Sequence, residues 1–433
     1  MAQEVDALYR HVKELVTLAD GPAAGGVRGA DLAKAEVHRD QAIAVLDGKV
    51  LETGPDAELA ERYECPSHVD LDGYVVVPAF CDGHTHPAFG VTREHEFLLR
   101  CRGADYVEIA RAGGGILSSV ESLRGLDEDA LVQLVFERYL RFLALGTTTL
   151  EAKSGYGLSL DDELRSLRAL RRAAAMLPIT VSTTFLGAHE VAPEFRDAPG
   201  AYVDLLIEEM LPAARPLADS CDVFVEAHVF DLDQGRRILG AARELGYRLR
   251  VHVDEIEPLG GTEMAVELGA ASVDHLIRIS DEGIAALAGS DTTATLLPGT
   301  SFFLRKPYAP GRRLADAGAL VALATDFNPG SCFTQSLPMI ATLARLNYGF
   351  SPAECLNAMT RNAAASLGLS EDRGTLHPGK RADFAVLDLP SFEALGYAFG
   401  DNPVLLTVVG GRPVAMNSSN VPEGLAAQFA AEE

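Results

Sequence analysis

Apolar runs alternate with longer amphipathic stretches along the central part of the chain. This alternation is typical of β-strands that are each followed by a helix in a parallel sheet. The intervening stretches at 127–146 and 161–177 have helical spacing and acidic starts. Eight apolar runs are candidate strands: VVVPAFCD, TTTLEAK, TVSTTFLG, DVFVEAHV, LRVHV, SVDHL, TATLL and LVALATD. Eight such units predict an α/β fold, a (β/α)8 TIM-like barrel, over residues 79–375.

Both ends of the chain have the pattern of an antiparallel β-sheet. Near the start, AIAVLDGKVLETG contains two apolar runs joined by Asp47-Gly48, a strong signal for a two-residue hairpin turn. Near the end, ADFAVLDL and VLLTVVGGRPVAM are further strand candidates. Neither end is long enough for a stable sheet by itself. We therefore expect one small discontinuous β-sandwich domain, made of residues 1–78 and 376–433.

Composition narrows the class of protein. The 433 residues are 48% hydrophobic and 23% charged, which excludes a disordered or fibrous chain. With 37 basic and 62 acidic residues the net charge is −25, so nucleic acid is a disfavoured partner. The six cysteines form no Cys-x-x-Cys pair, which argues against a zinc ribbon or a disulfide scaffold. There is no signal-peptide pattern and no 18-residue apolar run, so we expect a cytoplasmic protein without a membrane partner.

Polar side chains that suit metal chemistry follow several of the predicted strands. Each has a simpler explanation when taken alone, such as a hydrogen-bonded core histidine or a helix N-cap. In a barrel, however, the carboxyl ends of the strands converge on one mouth, where active sites are built. Residues two apart on an extended strand also point to the same side and can share one ion. The residues are His84, His86, His189, His252, His275 and Asp326.

This set predicts a metal centre. Three imidazoles and one carboxylate suit one divalent or trivalent ion per subunit, Zn or Fe, with a position left for water. Such an ion lowers the pKa of the water towards 7. Asp326 could then accept the water proton. His275 is better placed to orient the hydroxide or polarise a carbonyl than to bind the ion.

At these residues the sequence resembles the amidohydrolase superfamily, and within it the imidazolonepropionase family. The similarity covers nearly the whole chain. It depends on the segments CDGHTHPAFGVTREHEF, GADYVEIARAGGGI, LEAKSGYGLSLDDELRSLR, TTFLGAHEVAPEF, HVDEIEPLGG and ATDFNPGS. The resemblance implies hydrolysis of the cyclic amide of 4-imidazolone-5-propanoate to N-formimidoyl-L-glutamate in histidine degradation, by a homodimer. It also implies two sets of site residues: the metal ligands His84, His86, His252 and Asp326, and the substrate contacts Arg93, Tyr156, His189, Glu255, Asn328, Gly330 and Ser331.

Physical roles for these contacts are hypotheses with simpler alternatives. Arg93 could pair with the propionate carboxylate, or it could be a surface arginine bound to Glu94 or Glu96. Glu255 could shuttle a proton to the leaving nitrogen, so that Glu255, His275 and Asp326 are all candidates for the general base; alternatively it is one exposed acid of several. Tyr156 and His189 offer donors and acceptors to the substrate, or are inert loop residues.

The segment from Asn328 to Ser331 has two interpretations as well. Its backbone N–H groups could be free to meet a carboxylate, or it could be an ordinary Asn-Pro-Gly turn. Lys153 invites comparison with a carboxylated bridging lysine, but its place on the second predicted strand favours a structural role. Gly113-Gly114-Gly115 is better explained as a turn than as a phosphate loop. His228 departs from the family pattern, and we expect a buried or supporting histidine there.

Two other functions fit parts of the pattern. A nucleobase-type deaminase of the same superfamily would share the spacing of His252 and Glu255. The predicted anion-binding set of Arg93, Tyr156 and His189 disfavours it, because an uncharged base needs no such set. A binding barrel without catalysis is disfavoured because all four metal ligands are present.

Overall fold

The computed structural model describes residues 2–65, 68–103 and 114–417. The chain forms two compact units. One contains Met1–Asp82, Arg141–Thr149 and Ser336–Glu433, and the other contains Gly83–Leu140 and Leu150–Gln335. The expected domain limits, 1–78 with 376–433 and 79–375, remain a prediction.

A mainly antiparallel sheet combines strands from both chain ends, as predicted. The hairpin turn has the expected left-handed backbone, with φ of 52° at Asp47 and 72° at Gly48. Near the chain's other end, the strand Phe384–Leu387 pairs antiparallel with the strand Val75–Pro78, so that Phe384 lies opposite Pro78. The strands of the first part of the chain are β1 (Gln3–Glu4), β2 (Ala7–Leu15), β3 (His38–Leu46), β4 (Lys49–Pro55), β5 (Tyr63–Glu64), β6 (His68–Asp70) and β7 (Val75–Pro78). Those of the last part are β16 (Phe384–Leu387), β17 (Val404–Val409) and β18 (Arg412–Met416).

An apolar core packs on this sheet. The sheet runs in the order β18-β17-β16-β7-β2-β3-β4, with β6 paired to β2, while β1 and β5 form a separate two-stranded pair. The rings of Tyr9 and Phe384 meet edge to face at 4.8 Å. The Tyr9 hydroxyl donates to the Gly411 carbonyl at 3.0 Å, so the buried phenol is satisfied. Residues from both chain ends thus share one core.

The second sheet is the predicted barrel of eight strands, arranged in chain order. The strands are β8 (Phe80–Asp82), β9 (Thr147–Lys153), β10 (Thr180–Ala188), β11 (Ser220–Val225), β12 (Arg248–Val253), β13 (Ser272–His275), β14 (Thr293–Leu296) and β15 (Leu320–Leu323). Thr85 pairs in parallel with Phe327 just beyond the first and last strands. The backbone N–H of His86 donates to the carbonyl oxygen of Phe327 at 2.8 Å, and the backbone N–H of Asp326 donates to the carbonyl oxygen of His84 at 3.0 Å. These bonds bring the loop after the first strand against the loop after the eighth, and the (β/α)8 prediction is confirmed.

Helices follow the barrel strands. The two predicted from spacing are confirmed as α4 and α5, and Ser159 caps α5 by accepting the Asp162 N–H at 3.3 Å. No helix within the described ranges is long and apolar enough to cross a membrane. The helices are α1 (Asp56–Arg62), α2 (Glu94–Cys101), α3 (Ile116–Arg124), α4 (Glu128–Ala144), α5 (Leu160–Ala174), α6 (Pro199–Leu205), α7 (Leu211–Ala214), α8 (Leu232–Glu244), α9 (Gly261–Glu267), α10 (Asp281–Ala288), α11 (Pro298–Leu304), α12 (Gly311–Asp316), α13 (Leu337–Tyr348), α14 (Pro352–Met359) and α15 (Arg361–Ser366).

Two predicted strands differ from the structure. VVVPAFCD is divided, because its first half forms β7 in the antiparallel sheet and its second half forms β8 in the barrel. The break falls at Ala79, directly after Pro78, which has no N–H to donate within a sheet. DVFVEAHV is shortened, because β11 ends at Val225 and the chain turns, with the Val229 N–H donating to Glu226. His228 is therefore exposed in a turn, and the expectation of a buried or supporting histidine was wrong.

Candidate active site

Three buried imidazoles converge just beyond the carboxyl ends of the barrel strands. His84 and His86 follow β8, and His252 lies near the end of β12. One nitrogen from each ring falls within 4.8 Å of the others, close enough for a shared ion. The Nε2 atoms of His84 and His86 are 3.1 Å apart. The structure thus brings together the three histidines that the strand positions predicted.

The outer nitrogens of two of these rings are held by buried carboxylates. His84 Nδ1 lies 2.7 Å from an Asp274 oxygen, and His252 Nδ1 lies 2.9 Å from an Asp222 oxygen. Each carboxylate accepts the Nδ1–H, which leaves the Nε2 lone pair to face the cluster. His252 Nε2 is buried and has no hydrogen-bond partner among the described residues. A metal ion would satisfy this nitrogen, so the donor set fits one.

The pKa values of two of the rings are shifted in opposite directions, because their charged neighbours differ. Burial, reinforced by the Lys153 charge, lowers the pKa of His84 well below its ordinary value, which favours the neutral imidazole that can bind a metal. Burial also opposes the charged form of His252, but the adjacent Asp222 outweighs it and the pKa of His252 is raised. A metal ion would therefore compete with a proton at His252.

Asp326 lies beside the imidazoles, as expected. One of its oxygens is 3.5 Å from His84 Nε2 and 3.4 Å from His86 Nε2. Its other oxygen accepts the Thr300 hydroxyl at 2.5 Å, and the Asn328 amide donates to the first at 3.1 Å. Burial alone would raise the pKa of Asp326, but the His86 contact, the His275 imidazole and the Thr300 hydroxyl bring it down to about 2. The carboxylate is thus ionised and close to the Nε2 atoms of His84 and His86.

Arg93 is held at the same end of the barrel by a carboxylate. Its Nε and Nη2 atoms each donate to Glu96 at 2.8 Å, which is a two-point salt bridge. Glu96 is only 1% exposed and also accepts the Gly115 N–H at 2.7 Å. The alternative of a pairing with Glu96 is therefore confirmed, although the pair is buried rather than on the surface. A Cβ atom on Gly330 would lie 2.4 Å from the Arg93 guanidinium carbon, so the two residues are in close contact.

The turn after Asp326 is satisfied internally. The N–H groups of Gly330 and Ser331 donate to Asn328 Oδ1 at 2.9 and 2.7 Å. The Asn328 amide nitrogen donates to the Ser331 hydroxyl at 2.7 Å. The expectation that these backbone N–H groups are free was therefore wrong, because the asparagine side chain uses them to close the turn.

Tyr156 and His189 form the aromatic side of the site. Their ring centroids are 5.2 Å apart, and His189 stacks on His86 at 5.2 Å and 21°. Burial raises the pKa of Tyr156 and lowers that of His189 well below its ordinary value, so both side chains are neutral. His189 Nδ1 lies 3.0 Å from the Gly155 carbonyl, which can only accept, so Nδ1 carries the proton.

The loop that carries Tyr156 is built around one buried carboxylate, Glu163. It accepts backbone N–H groups from Gly155 at 3.0 Å, from Gly157 at 2.8 Å and from Leu158 at 2.9 Å. Gly155 has a φ of 113°, which disfavours any other residue there. Glu163 therefore fixes the path of the loop and the position of the phenol.

Glu255, His275 and Lys306 form a further charged group. Lys306 donates to one Glu255 oxygen at 3.0 Å, and His275 Nδ1 lies 3.9 Å from the other. Burial would raise the pKa of Glu255, but His275 and Lys306 reverse this and lower it. The His275 ring centroid is 5.3 Å from that of His252, and its Nδ1 is buried without a hydrogen-bond partner in the part of the chain described. Lys306 was not predicted from the sequence.

Other residues missed from the sequence are acids that support the site. Asp222 and Asp274 hold the histidines, Glu96 holds Arg93 and Glu163 holds the Tyr156 loop. A signal for two of them was available, since Asp222 and Asp274 lie within short barrel strands that are almost completely buried. A charged residue in such a strand is rarely buried without a partner.

One glycine prediction falls partly outside the described residues. Gly113 is among the residues that the structure does not describe, whereas Gly115 precedes α3 with a φ of 92°. That conformation suits a turn and favours glycine.

Comparisons with known proteins agree with this geometry. The model of the amidohydrolase family matches residues 75–414. Imidazolonepropionase of Symbiobacterium thermophilum is 46% identical over 94% of this chain and 97% of its own length. Imidazolonepropionase of Geobacillus kaustophilus is 43% identical over 95% and 98%. Among solved structures, E. coli guanine deaminase superposes with a TM-score of 0.73 at 15% identity, covering 95% of this chain and 99% of its own, which shows a shared fold. By these matches the chain belongs to the amidohydrolase family and, within it, to the imidazolonepropionases.

Proposed function

We propose that this protein hydrolyses the cyclic amide of 4-imidazolone-5-propanoate to N-formimidoyl-L-glutamate, a step of histidine degradation. The observation that carries the proposal is the extent of the similarity to imidazolonepropionases, 46% identity over 94% of the chain. In the reaction, water adds its oxygen to the amide carbonyl carbon, the C–N bond of the ring breaks, and the ring nitrogen takes a proton. The residues at the barrel mouth provide groups for each of these steps.

A metal ion, Zn or Fe, would be held by His84, His86, His252 and Asp326. When bound, such an ion lowers the pKa of a water molecule to about 7 and so supplies a nucleophile at neutral pH. The low pKa of Asp326 keeps its carboxylate ionised at neutral pH, so it can accept the water proton. The Thr300 hydroxyl fixes the orientation of that carboxylate through its 2.5 Å bond.

His275 and Glu255 act on the substrate ring in this proposal. His275 Nδ1 has no hydrogen-bond partner in the described structure, so it is free to bind the substrate carbonyl oxygen. Lys306 and His275 lower the pKa of Glu255, which favours a carboxylate that accepts a ring N–H over an acid that donates a proton. Asp326 is then the general base, and it returns the proton to the leaving nitrogen.

The propionate carboxylate of the substrate binds Arg93. The Nε and Nη2 atoms of Arg93 already donate to Glu96, and Nη1 makes no hydrogen bond to Glu96. His189 carries its proton on the nitrogen that faces Gly155, so its other nitrogen is an acceptor for the ring. Tyr156, neutral at physiological pH, supplies a hydroxyl beside them.

The test is the steady-state loss of imidazolone absorbance, with the substrate generated in place from urocanate. We expect rapid turnover by the wild type, loss of kcat in His84→Ala, and a raised KM in Arg93→Ala. The matched control is Arg237→Ala, which removes an arginine whose side chain is 53% exposed and pairs with Asp204 on the surface. It should behave as the wild type.

No turnover by a metal-loaded wild type would contradict the proposal. The same protein would then be assayed for deamination of guanine and adenine. The homodimer, the cytoplasmic location and the absence of nucleic-acid and membrane partners remain predictions, and sedimentation velocity tests the first of them.

A further inference from the structure

Lys153 is a fully buried lysine on β9 that the proposed reaction does not use. Its side chain is 0% exposed, and its Nζ lies 2.7 Å from a Glu151 oxygen and 2.7 Å from an Asp222 oxygen. A buried ammonium group is retained only where such partners compensate its charge. Two carboxylates at this distance favour the charged amine, whereas carboxylation of Nζ requires the neutral amine and would add a third negative charge. Lys153 is thus a cationic link between two acids.

The first of these acids holds the segment that carries His84 and His86. A Glu151 side-chain oxygen accepts the N–H of Thr85, the residue between the two histidines, at 3.1 Å. The Thr85 hydroxyl donates to the Glu151 carbonyl at 2.5 Å, and the Lys153 N–H donates to the Thr85 carbonyl at 3.0 Å. Three hydrogen bonds with Glu151 and Lys153 therefore fix Thr85, the middle residue of the His-x-His segment.

The second acid holds the third imidazole. Asp222 uses one oxygen for Lys153 and the other for His252 Nδ1, at 2.7 and 2.9 Å. Its carboxylate plane is consequently determined by the lysine as well as by the histidine. Without Lys153 the carboxylate could rotate, and the His252 ring would lose the partner that orients it.

We propose that Lys153 is a positioning residue that aligns the His84–His86 segment with His252 for a single metal ion, by joining Glu151 to Asp222. The inference rests on the proposed metal-dependent function. The Lys153 ammonium donates to Glu151 and Asp222 and not to an imidazole in the described structure, so its positioning effect acts through these two carboxylates. Removing it should misplace the ligands relative to one another while leaving all of them present.

The experiment measures metal binding without substrate. Zn²⁺ affinity is obtained by competition with a chelator, and the visible bands of the Co²⁺-loaded protein report the coordination geometry. The variants are Lys153→Met, Asp222→Asn and the double variant. The matched control is Lys380→Met, which removes a buried lysine whose Nζ donates to the carbonyl oxygens of Ser370 and Arg373 and to no carboxylate in the described structure.

Lys153→Met should weaken Zn²⁺ binding about 10- to 100-fold, the range found when partners of metal-binding histidines are removed. Its Co²⁺ bands should shift, and Lys380→Met should keep the wild-type affinity and spectrum even if it melts earlier. Because Lys153 is proposed to act partly through Asp222, the double variant should lose less than the product of the two single effects. A purely structural lysine would lower the thermal midpoint of Lys153→Met and leave its affinity unchanged.

Wild-type Zn²⁺ affinity and Co²⁺ bands in Lys153→Met would overturn the proposal. If that variant does not fold, Glu151→Gln takes its place, because it alters the Glu151 contacts with Thr85 and Lys153 and leaves the Lys153–Asp222 contact in place. Unchanged binding in that variant would overturn the proposal equally. Failure of the proposed function is recognised separately. A wild type that binds metal and does not hydrolyse the imidazolone contradicts the function while the Lys153 result stands.

Discussion

Replacing Gly330 by alanine should displace Arg93 with little effect on stability. A Cβ atom at this position would lie 2.4 Å from the Arg93 Cζ and Nη1 atoms and 2.6 Å from Nη2. Comfortable contact needs about 3.5 Å, so the guanidinium must retreat by roughly 1 Å. The end of a long side chain can make that movement at low cost. Glu96 cannot follow freely, however, because it also accepts the Gly115 N–H at 2.7 Å.

A shift of that size should weaken substrate binding. Misplacement of a binding group by about 1 Å can cost as much as 100-fold, and we expect KM for the imidazolone to rise about 10- to 100-fold. The propionate carboxylate that Arg93 is proposed to bind is separate from the reacting carbonyl of the ring, so kcat should change little. Steady-state kinetics would be measured with Gly330→Ala and with the control Gly240→Ala. Gly240 lies in α8, and a Cβ atom there meets no other atom within 4 Å.

Two results would refute this reasoning. An unchanged KM in Gly330→Ala would mean that the position of Arg93 does not matter for substrate binding. A fall in kcat at constant KM would mean that the turn supports the chemistry at Asp326 instead of the anion contact. Thermal unfolding of the same variant should stay close to the wild type, since only a side-chain terminus moves.

Three further changes test the supporting acids. Asp274→Ala removes the acceptor 2.7 Å from His84 Nδ1 and should lower metal affinity about 10- to 100-fold in chelator competition; wild-type affinity would contradict the role given to this carboxylate. Glu163→Gln turns one acceptor oxygen into a donor facing the Tyr156 loop, and should lower the free energy of unfolding in urea by about 1–3 kcal/mol. Burial raises the pKa of Asp254 to about 6. The metal-free native state therefore binds more protons than the unfolded chain between about pH 4 and 6, and its free energy of unfolding falls as the pH rises through that window. Asp254→Asn should therefore raise the free energy of unfolding at pH 7 by at most about 3 kcal/mol and change it little below pH 4, and a gain that is equal at both pH values would disprove the assignment.

The fold was largely predictable because both sheets obey simple periodic rules. Short apolar runs separated by amphipathic helices indicated a barrel, and the Asp47-Gly48 step gave the hairpin with both residues at positive φ. The prediction failed for the run VVVPAFCD, which was expected to form one strand and contributes strands to two sheets. Val75–Pro78 and Phe80–Asp82 are separated by one residue, and pairing with distant strands decides which sheet each joins.

The site was predictable where strand ends determine position and unpredictable where side chains interact with each other. His84, His86 and His252 could be grouped because parallel strands end at one mouth. Asn328 accepts the Gly330 N–H, and Glu96 accepts two N–H groups of Arg93. Both interactions depend on side-chain rotamers and on competition among nearby acceptors. A donor that is free by sequence spacing can therefore be occupied in the folded chain, as it is in this turn.

The buried charges explain why the barrel interior tolerates so many acids around its histidines. The buried acids there include Glu151, Asp222, Asp274 and Asp326, and the buried cations include Lys153 and Arg250. Two cations cannot balance all of these acids, so the negative charge calls for a further cation. In the metal-free protein protons must serve instead, in line with the raised pKa of His252 beside Asp222, and with that of Asp274, which burial raises. A metal ion bound by the imidazoles would take the place of those protons in a region that water does not reach.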